Sequence, residues 1–331
     1  MTRNWNRTLT AALCAVACGQ AWAHPSRVAV LDIAWENGVT YGDDVGDPSR
    51  FATSPNPPVL GNPKNFVSFV VIGDIVSVNG KPAKGSFVDG GRGIFLLRNP
   101  MPGQSISDLA VRGGMVDIYL EILQSDGTPV GSIMTFGFTG GGPPPGTPGQ
   151  CCNLAVTGGT GAFQGARGTL TGDLSMGFRL TSMAEDPANR RINGGTRGHF
   201  FAYLIPMSWP EIVTTANGPA IFHADFSPVT SAKPARAGET LIVTATGLGP
   251  TSPGLAPGTP FPDSPAQEVN SPLEVTVNGK PADVLNKFGW PGTTDTYRLD
   301  IRVPDGTAPG MAALQVTAAF IAGREVKIPV Q

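Results

Sequence analysis

Along most of this chain, apolar and polar residues alternate in short bursts instead of recurring at every third or fourth position. Met115 to Leu123 is the cleanest stretch: Val116, Ile118, Leu120 and Ile122 fall on one face, and Asp117, Tyr119 and Glu121 on the other. That is the period-two rhythm of a half-buried strand. Further short apolar runs cover Phe66 to Ile72, Ile75 to Val78, Ile94 to Leu97, Ser132 to Phe138, Leu170 to Leu180 and His199 to Ile205. Asn79-Gly80 and Asp126-Gly127 lie between such runs, and these dipeptides favour the type I′ turns that close hairpins. A meander of antiparallel strands is therefore predicted over 65–216.

The rhythm pauses in a proline-rich stretch, 217–235, and resumes in Thr240 to Ala245, Leu273 to Val277, Thr296 to Val303, Met311 to Phe320 and Glu325 to Val330. With turns at Asn278-Gly279 and Asp305-Gly306, the spacing suits a small antiparallel sandwich over 236–331, joined by a linker at 217–235. The octapeptides Val76 to Ala83 and Val275 to Ala282 nearly match. Two hairpins meeting one turn requirement account for this, and duplication is the alternative. Two segments read as loops: Asp43 to Pro63, and Gly140 to Gly149, whose prolines lack the N–H a ladder needs.

Composition supports two β domains: 331 residues with 44 Gly, 32 Pro and 15% charged side chains are too rich in turn formers for a helical fold. A net charge of -2 gives no electrostatic footprint for nucleic acid or an anionic membrane. The N-terminus orders Arg3 and Arg7, an apolar run from Leu9 to Ala17, and Ala21-Trp22-Ala23. This is the plan of a cleaved signal peptide over 1–23, which predicts an exported protein, periplasmic or extracellular, whose 24–64 form an N-terminal extension and first strand. Lipoprotein processing at Cys18 is the alternative. The apolar run is too short to span a bilayer, and no later segment is long enough. Cleavage leaves Cys151 and Cys152, which as neighbours cannot staple distant parts of a fold. A strained vicinal ring, pairing between chains, and two reduced packing residues all remain open.

Gly158-Gly159-Thr160-Gly161-Ala162-Phe163-Gln164-Gly165-Ala166-Arg167-Gly168 is dense in glycine, with one aromatic and one arginine. It reads as a sharp corner between strands, with Phe163 in the core and Arg167 bracing backbone carbonyls. The stretch resembles the signature of plant dirigent proteins and the related allene oxide cyclase barrels, and the resemblance extends over about 65–205. It implies an all-β fold: an antiparallel eight-stranded barrel with a central cavity, often a homo-oligomer, followed here by the immunoglobulin-like β-sandwich. Dirigent proteins steer the coupling of phenoxy radicals made by a separate oxidase, and the cyclases close a reactive lipid epoxide. Pro234 to Thr240, Thr246 to Thr251 and Val275 to Ala282 resemble the TIG sandwiches of secreted bacterial proteins, a resemblance that implies an accessory or presentation module.

Candidate chemistry is sparse. Asp117, Tyr119 and Glu121 would offer acid, base or hydrogen-bonding groups if their face lined the cavity, and form an ordinary wet face if it did not. Arg179 shares a strand side with Ser175, Gly177 and Thr181, and His199 shares one with Phe201 and Tyr203. An arginine in the lumen would favour an anion or oxyanion. Leader cleavage would expose His24 as an amine–imidazole pair suited to copper, and Asp43, Asp44 and Asp47 could hold calcium, but neither has the partner spacing a metal site needs. No metal or cofactor is expected. Nucleophile-elbow and phosphate-loop motifs are absent. Three functions compete: a host for a small apolar or phenolic molecule, a non-catalytic structural or adhesion protein, and a cyclase or isomerase.

Overall fold

The computed structural model describes residues 27–42, 66–95, 112–138, 151–173, 178–182, 184–256 and 258–331. The stretch expected to be a leader, with Cys14 and Cys18, as well as His24, the acidic group Asp43, Asp44 and Asp47, the Gly140 to Gly149 segment, and Ser175 and Gly177 lie outside the described residues.

The fold is all-β. Its first sheet comprises β1 (Ala29–Gly42), β2 (Phe66–Val78), β3 (Lys81–Phe95), β4 (Arg112–Gln124), β5 (Pro129–Phe138), β6 (Cys151–Gly159), β7 (Arg167–Asp173), β8 (Arg179–Ser182) and β9 (Thr196–Ile205). Strands β2 to β7 pair in sequence, β9 follows β7, and β1 closes the ring by pairing with both β9 and β2, giving an eight-stranded antiparallel barrel. Strand β8 is not one of these eight; it pairs in parallel with the end of β1, from Val39↔Arg179 to Gly42↔Ser182, beyond the stretch of β1 that pairs with β9. The continuous strand expected from Leu170 to Leu180 is thus two: pairing of β7 with β9 ends at Asp173↔His199, whereas β8 pairs with β1.

Alternation along each strand fills the lumen. Leu31, Ile33, Leu120, Ile122, Ile133, Phe163 and Leu204 pack its lower half, and Trp35, Phe87, Phe178 and Phe200 cross it at mid-height. Trp35 stacks on Phe178 at 5.0 Å between ring centroids and meets Phe87 edge-on at 5.3 Å. These rings lie against glycines: a Cβ on Gly38 or Gly198 would strike Trp35, and one on Gly73 would strike Phe87.

The corner from Gly158 to Gly168 joins β6 to β7 through a one-turn 3-10 helix, Gly161–Phe163. Phe163 is 1% exposed, and Arg167 Nη1 donates to the carbonyl of Ala166 at 2.9 Å. Gly168 has φ +143, and a Cβ there would collide with the carbonyl of Tyr203 on β9. Glycine is therefore required by both the backbone angle and the closeness of the next strand.

The second sheet begins at Glu211, ahead of the expected linker. It contains β10 (Glu211–Ile212), β13 (Ile221–His223), β14 (Thr240–Thr246), β15 (Thr251–Ser252), β16 (Glu268–Val269), β17 (Leu273–Val277), β18 (Lys280–Gly289), β19 (Thr296–Arg302), β20 (Gly310–Ala318), β21 (Ile321–Ala322) and β22 (Val326–Val330); β11 (Thr214–Thr215) and β12 (Gly218–Pro219) form a separate hairpin. Ile212 and Ile221 join its core, together with Val243, Leu299 and Ile301 from one part of the sheet and Val275, Leu314 and Val316 from the other. Burying those apolar side chains draws the segment around 211–223 into this domain.

The two domains meet at the barrel's floor. Ala319 and Ile321 are part of the barrel's own apolar core. Asn79 Nδ2 donates to the carbonyl of Phe320 at 3.1 Å, Gln124 Nε2 to that of Asn270 at 2.7 Å, and Asn270 Nδ2 to that of Pro129 at 2.6 Å. Arg27 lies 4.2 Å over the Trp209 ring and pairs with Glu211 at 3.0 Å.

Candidate functional site

The β2–β3 and β4–β5 hairpin turns and the β6–β7 corner all point to the sealed floor. Strands β1, β3, β5 and β7 end, and β2, β4, β6 and β9 begin, at the opposite rim. Ligands reach a barrel through the end where loops can vary, so the upper lumen, above the aromatic layer, is where a site belongs.

Among the described residues, one carboxyl group faces that part of the lumen. Asp89 follows Phe87 on the inward face of β3 and pairs across the sheet with Val71 on β2 and Ile118 on β4. Both neighbours are buried core residues. Continuing around the barrel, Thr40 lies beside Val71 and Thr135 beside Ile118, and both are buried. Thr135 spends its hydroxyl on the carbonyl of Ile118 at 3.3 Å. Asp89 is 8% exposed, and its Oδ1 has no hydrogen-bond partner among the described residues. Burial pushes this carboxyl up to about 7, and the carboxylate of Asp117 on the far side of the sheet adds to the rise. A buried, unpaired acid that titrates near neutrality can accept a proton or hydrogen bond from a guest, or donate one.

The residues singled out from the sequence lie elsewhere. Asp117, Tyr119 and Glu121 are exposed on the outer face of β4, because the apolar alternate positions Val116, Ile118, Leu120 and Ile122 take the lumen. His199 and Tyr203 are on the outer face of β9, where His199 Nδ1 lies 2.6 Å from Asp32 Oδ1 and the His199 ring stacks on Phe201 at 6.1 Å. The hydroxyl of Tyr203 is buried with no partner among the described residues, and desolvation raises its pKa.

Arg179 lies on β8, paired with Val39 at the end of β1. It pairs bidentately with Glu185 at 2.6 and 3.0 Å and donates through Nε to Gly194. It therefore belongs to a clasp that holds the segment after β8 against the barrel. The same segment is held by Asp74 on β2, which accepts from Arg190, from Arg191 at 2.8 Å and from Asn37 at 2.9 Å. Burial alone would raise the Asp74 pKa, but hydrogen bonds from Arg191, Asn37 and Arg190 outweigh it and bring the value to about 2.

Asp89 escaped notice because β3, with glycines at 85, 90, 91 and 93, carries too few apolar residues to show alternation. The available signal was the pair Phe87 and Asp89 after the Asn79-Gly80 turn, two positions apart and hence on one face. Cys152 is buried and disulfide-bonded. Among the described residues no three His, Cys, Asp or Glu side chains converge as a metal site, and no helix is long and apolar enough to cross a membrane.

Compared with known protein families, the chain matches none, and no curated protein matches it. The architecture is compatible with a barrel family, and it is the barrel itself that defines the class: a closed antiparallel β-barrel carrying a C-terminal β domain.

Proposed function

We propose that this is an exported small-molecule host, in the manner of dirigent proteins, that holds an apolar or phenolic guest in the upper lumen and restricts its conformation. The observation that carries the reading is Asp89, a buried carboxyl with an unpaired oxygen above an aromatic floor and below the loop-bearing rim. A phenol matches such surroundings, with a ring for the Trp35–Phe87–Phe178 layer and a hydroxyl for the acid. Confinement of a reactive guest in one orientation can contribute several kcal/mol to selectivity or rate without a strong acid or base. A group titrating near 7 would also serve a cyclase or isomerase.

Calorimetric titration of the full chain with 2-naphthol and with its methyl ether tests this. Saturable binding of 2-naphthol, weakened at least tenfold by the ether or by Asp89→Leu, is the expected result. Absence of binding by either probe, with no small molecule co-purifying from the native exporter, would sink the proposal. A second reading, a non-catalytic structural or adhesion protein, is favoured by the lower lumen, which is packed by the chain's own side chains.

A further inference from the structure

The second domain carries a surface cluster of one exposed and two half-buried aromatic rings that its core does not use. On the outer face of the β14–β19–β18 layer, Phe288 pairs across the strands with Arg298, and Asn286 with Asp300. The Arg298 guanidinium lies 5.6 Å from the Phe288 ring and 5.4 Å from that of Phe226, which in turn meets Trp290 edge-on at 6.5 Å. Phe226 is 53% exposed. It also has φ +61, a left-handed conformation that bulky side chains rarely adopt.

This conformation is locked in place. The Phe226 N–H donates to the His223 carbonyl at 2.9 Å, the Ser227 N–H to Asp225 at 2.9 Å, and Lys233 to Asp225 at 2.8 Å. Trp290 is fixed likewise, with its N–H donating to Thr296 and its carbonyl accepting from the Thr293 hydroxyl, both at 2.8 Å. A strained backbone that presents a large aromatic to solvent points to a contact made by that ring.

The polar groups around the rings say what the contact is. Asp300, 7% exposed, accepts from Arg298 Nε at 2.7 Å, Arg298 Nη2 at 3.2 Å and Asn286 Nδ2 at 2.9 Å, so the central charge is cancelled. At the margins Asp283 faces Arg302 across the strands, and Lys233 pairs with Asp225 at 2.8 Å beside Phe226. A balanced surface has no attraction for nucleic acid, anionic lipid or a polyanion. Aromatic rings interleaved with planar amide and guanidinium groups do suit a sugar chain. The electron-rich ring faces attract the C–H faces of pyranoses, and the planar groups take hydroxyls. We propose that this face of the second domain binds a neutral polysaccharide, anchored on Phe226 and Trp290.

Native electrophoresis of the full chain through gels containing hydroxyethylcellulose, amylopectin or galactomannan tests the proposal, with alginate as the anionic counter-case. Retardation by at least one neutral polymer is expected, with apparent affinity falling at least tenfold in Trp290→Ala and in Phe226→Gly. The glycine variant separates binding from folding, because glycine tolerates the left-handed angle and its Tm should match or exceed the wild type. Migration unaffected by all three neutral polymers, retardation by alginate alone, or retardation that survives Phe226→Gly would each overturn the assignment.

Discussion

Replacing Asp89 by asparagine removes a proton-binding group from the barrel while nearly preserving its shape, and the consequence can be worked out with its sign. In the folded chain the carboxyl sits at about 7, against 3.8 for a free aspartate. Between these two values the folded state holds a proton that the unfolded state has lost, so wild-type stability falls as pH rises through the window. It is fully present below the lower value and lost once pH passes the upper one. A difference of about 3 pH units at 1.36 kcal/mol each gives roughly 4 kcal/mol. The amide introduced in place of the carboxyl brings its own penalty for unpaired donors, about 1–3 kcal/mol, but that penalty does not vary with pH. The test is therefore a double difference: guanidinium unfolding of wild type and Asp89→Asn at pH 4 and pH 8, followed by near-ultraviolet circular dichroism of the lumen aromatics. The variant should gain about 4 kcal/mol on wild type between the two pH values. A gain under about 1 kcal/mol, or one of opposite sign, would show that Asp89 is paired or solvated and would remove the basis for a lumen site.

Four further outcomes follow from named contacts. Gly168→Ala should destabilise the barrel by about 1–3 kcal/mol in thermal or denaturant melts, since φ +143 and the Tyr203 carbonyl both exclude a methyl group. Phe163→Ala, which empties the core side of the β6–β7 corner, should cost about 3–5 kcal/mol in the same melts. Asp74→Asn should speed tryptic cleavage after Arg190 and Arg191, because both guanidinium groups lose their shared carboxylate. In the wild type, Asp74 and Glu185 both sit at about 2, below their free values. The hold on the segment after β8 is thus present above about pH 4.5 and weakens as pH falls toward 2, which hydrogen exchange of 184–195 would report.

Strand-level patterning carried the architecture because the lumen demands it. Met115 to Leu123 shows one face of β4 almost without exception, and the turn dipeptides at 79–80 and 126–127 set the hairpins on either side. The same alternation could not say which face of β4 a ligand would meet, and polar residues drew attention to the outer one. Asp89 stayed hidden because its strand is held by backbone pairing with long neighbours, not by its own apolar side chains. The β8 crossover was illegible for a related reason. Arg179 and Glu185 secure it by an ion pair, and an ion pair leaves no periodic trace. Nor could sequence place Phe226, whose exposure depends on a turn fixed by His223, Asp225 and Lys233.

Closure of the barrel constrains where function can reside. Among the described residues each of the eight ring strands pairs on both sides, and β8, which ends the strand order, keeps one edge with no partner strand. The barrel's floor is occupied by Ala319 and Ile321, and its middle by four aromatic rings, so the floor end offers the proposed guest no way in. The second domain is then more than a spacer, because it supplies the side chains that close that end of the barrel. Its outer aromatic face belongs to the β14–β19–β18 layer, whereas those side chains come from the turn before β21 and the start of that strand. Attachment to a polymer and closure of the barrel therefore use different surfaces of one sandwich, and loss of the first by Phe226→Gly should leave the pH-dependent stability set by Asp89 unchanged.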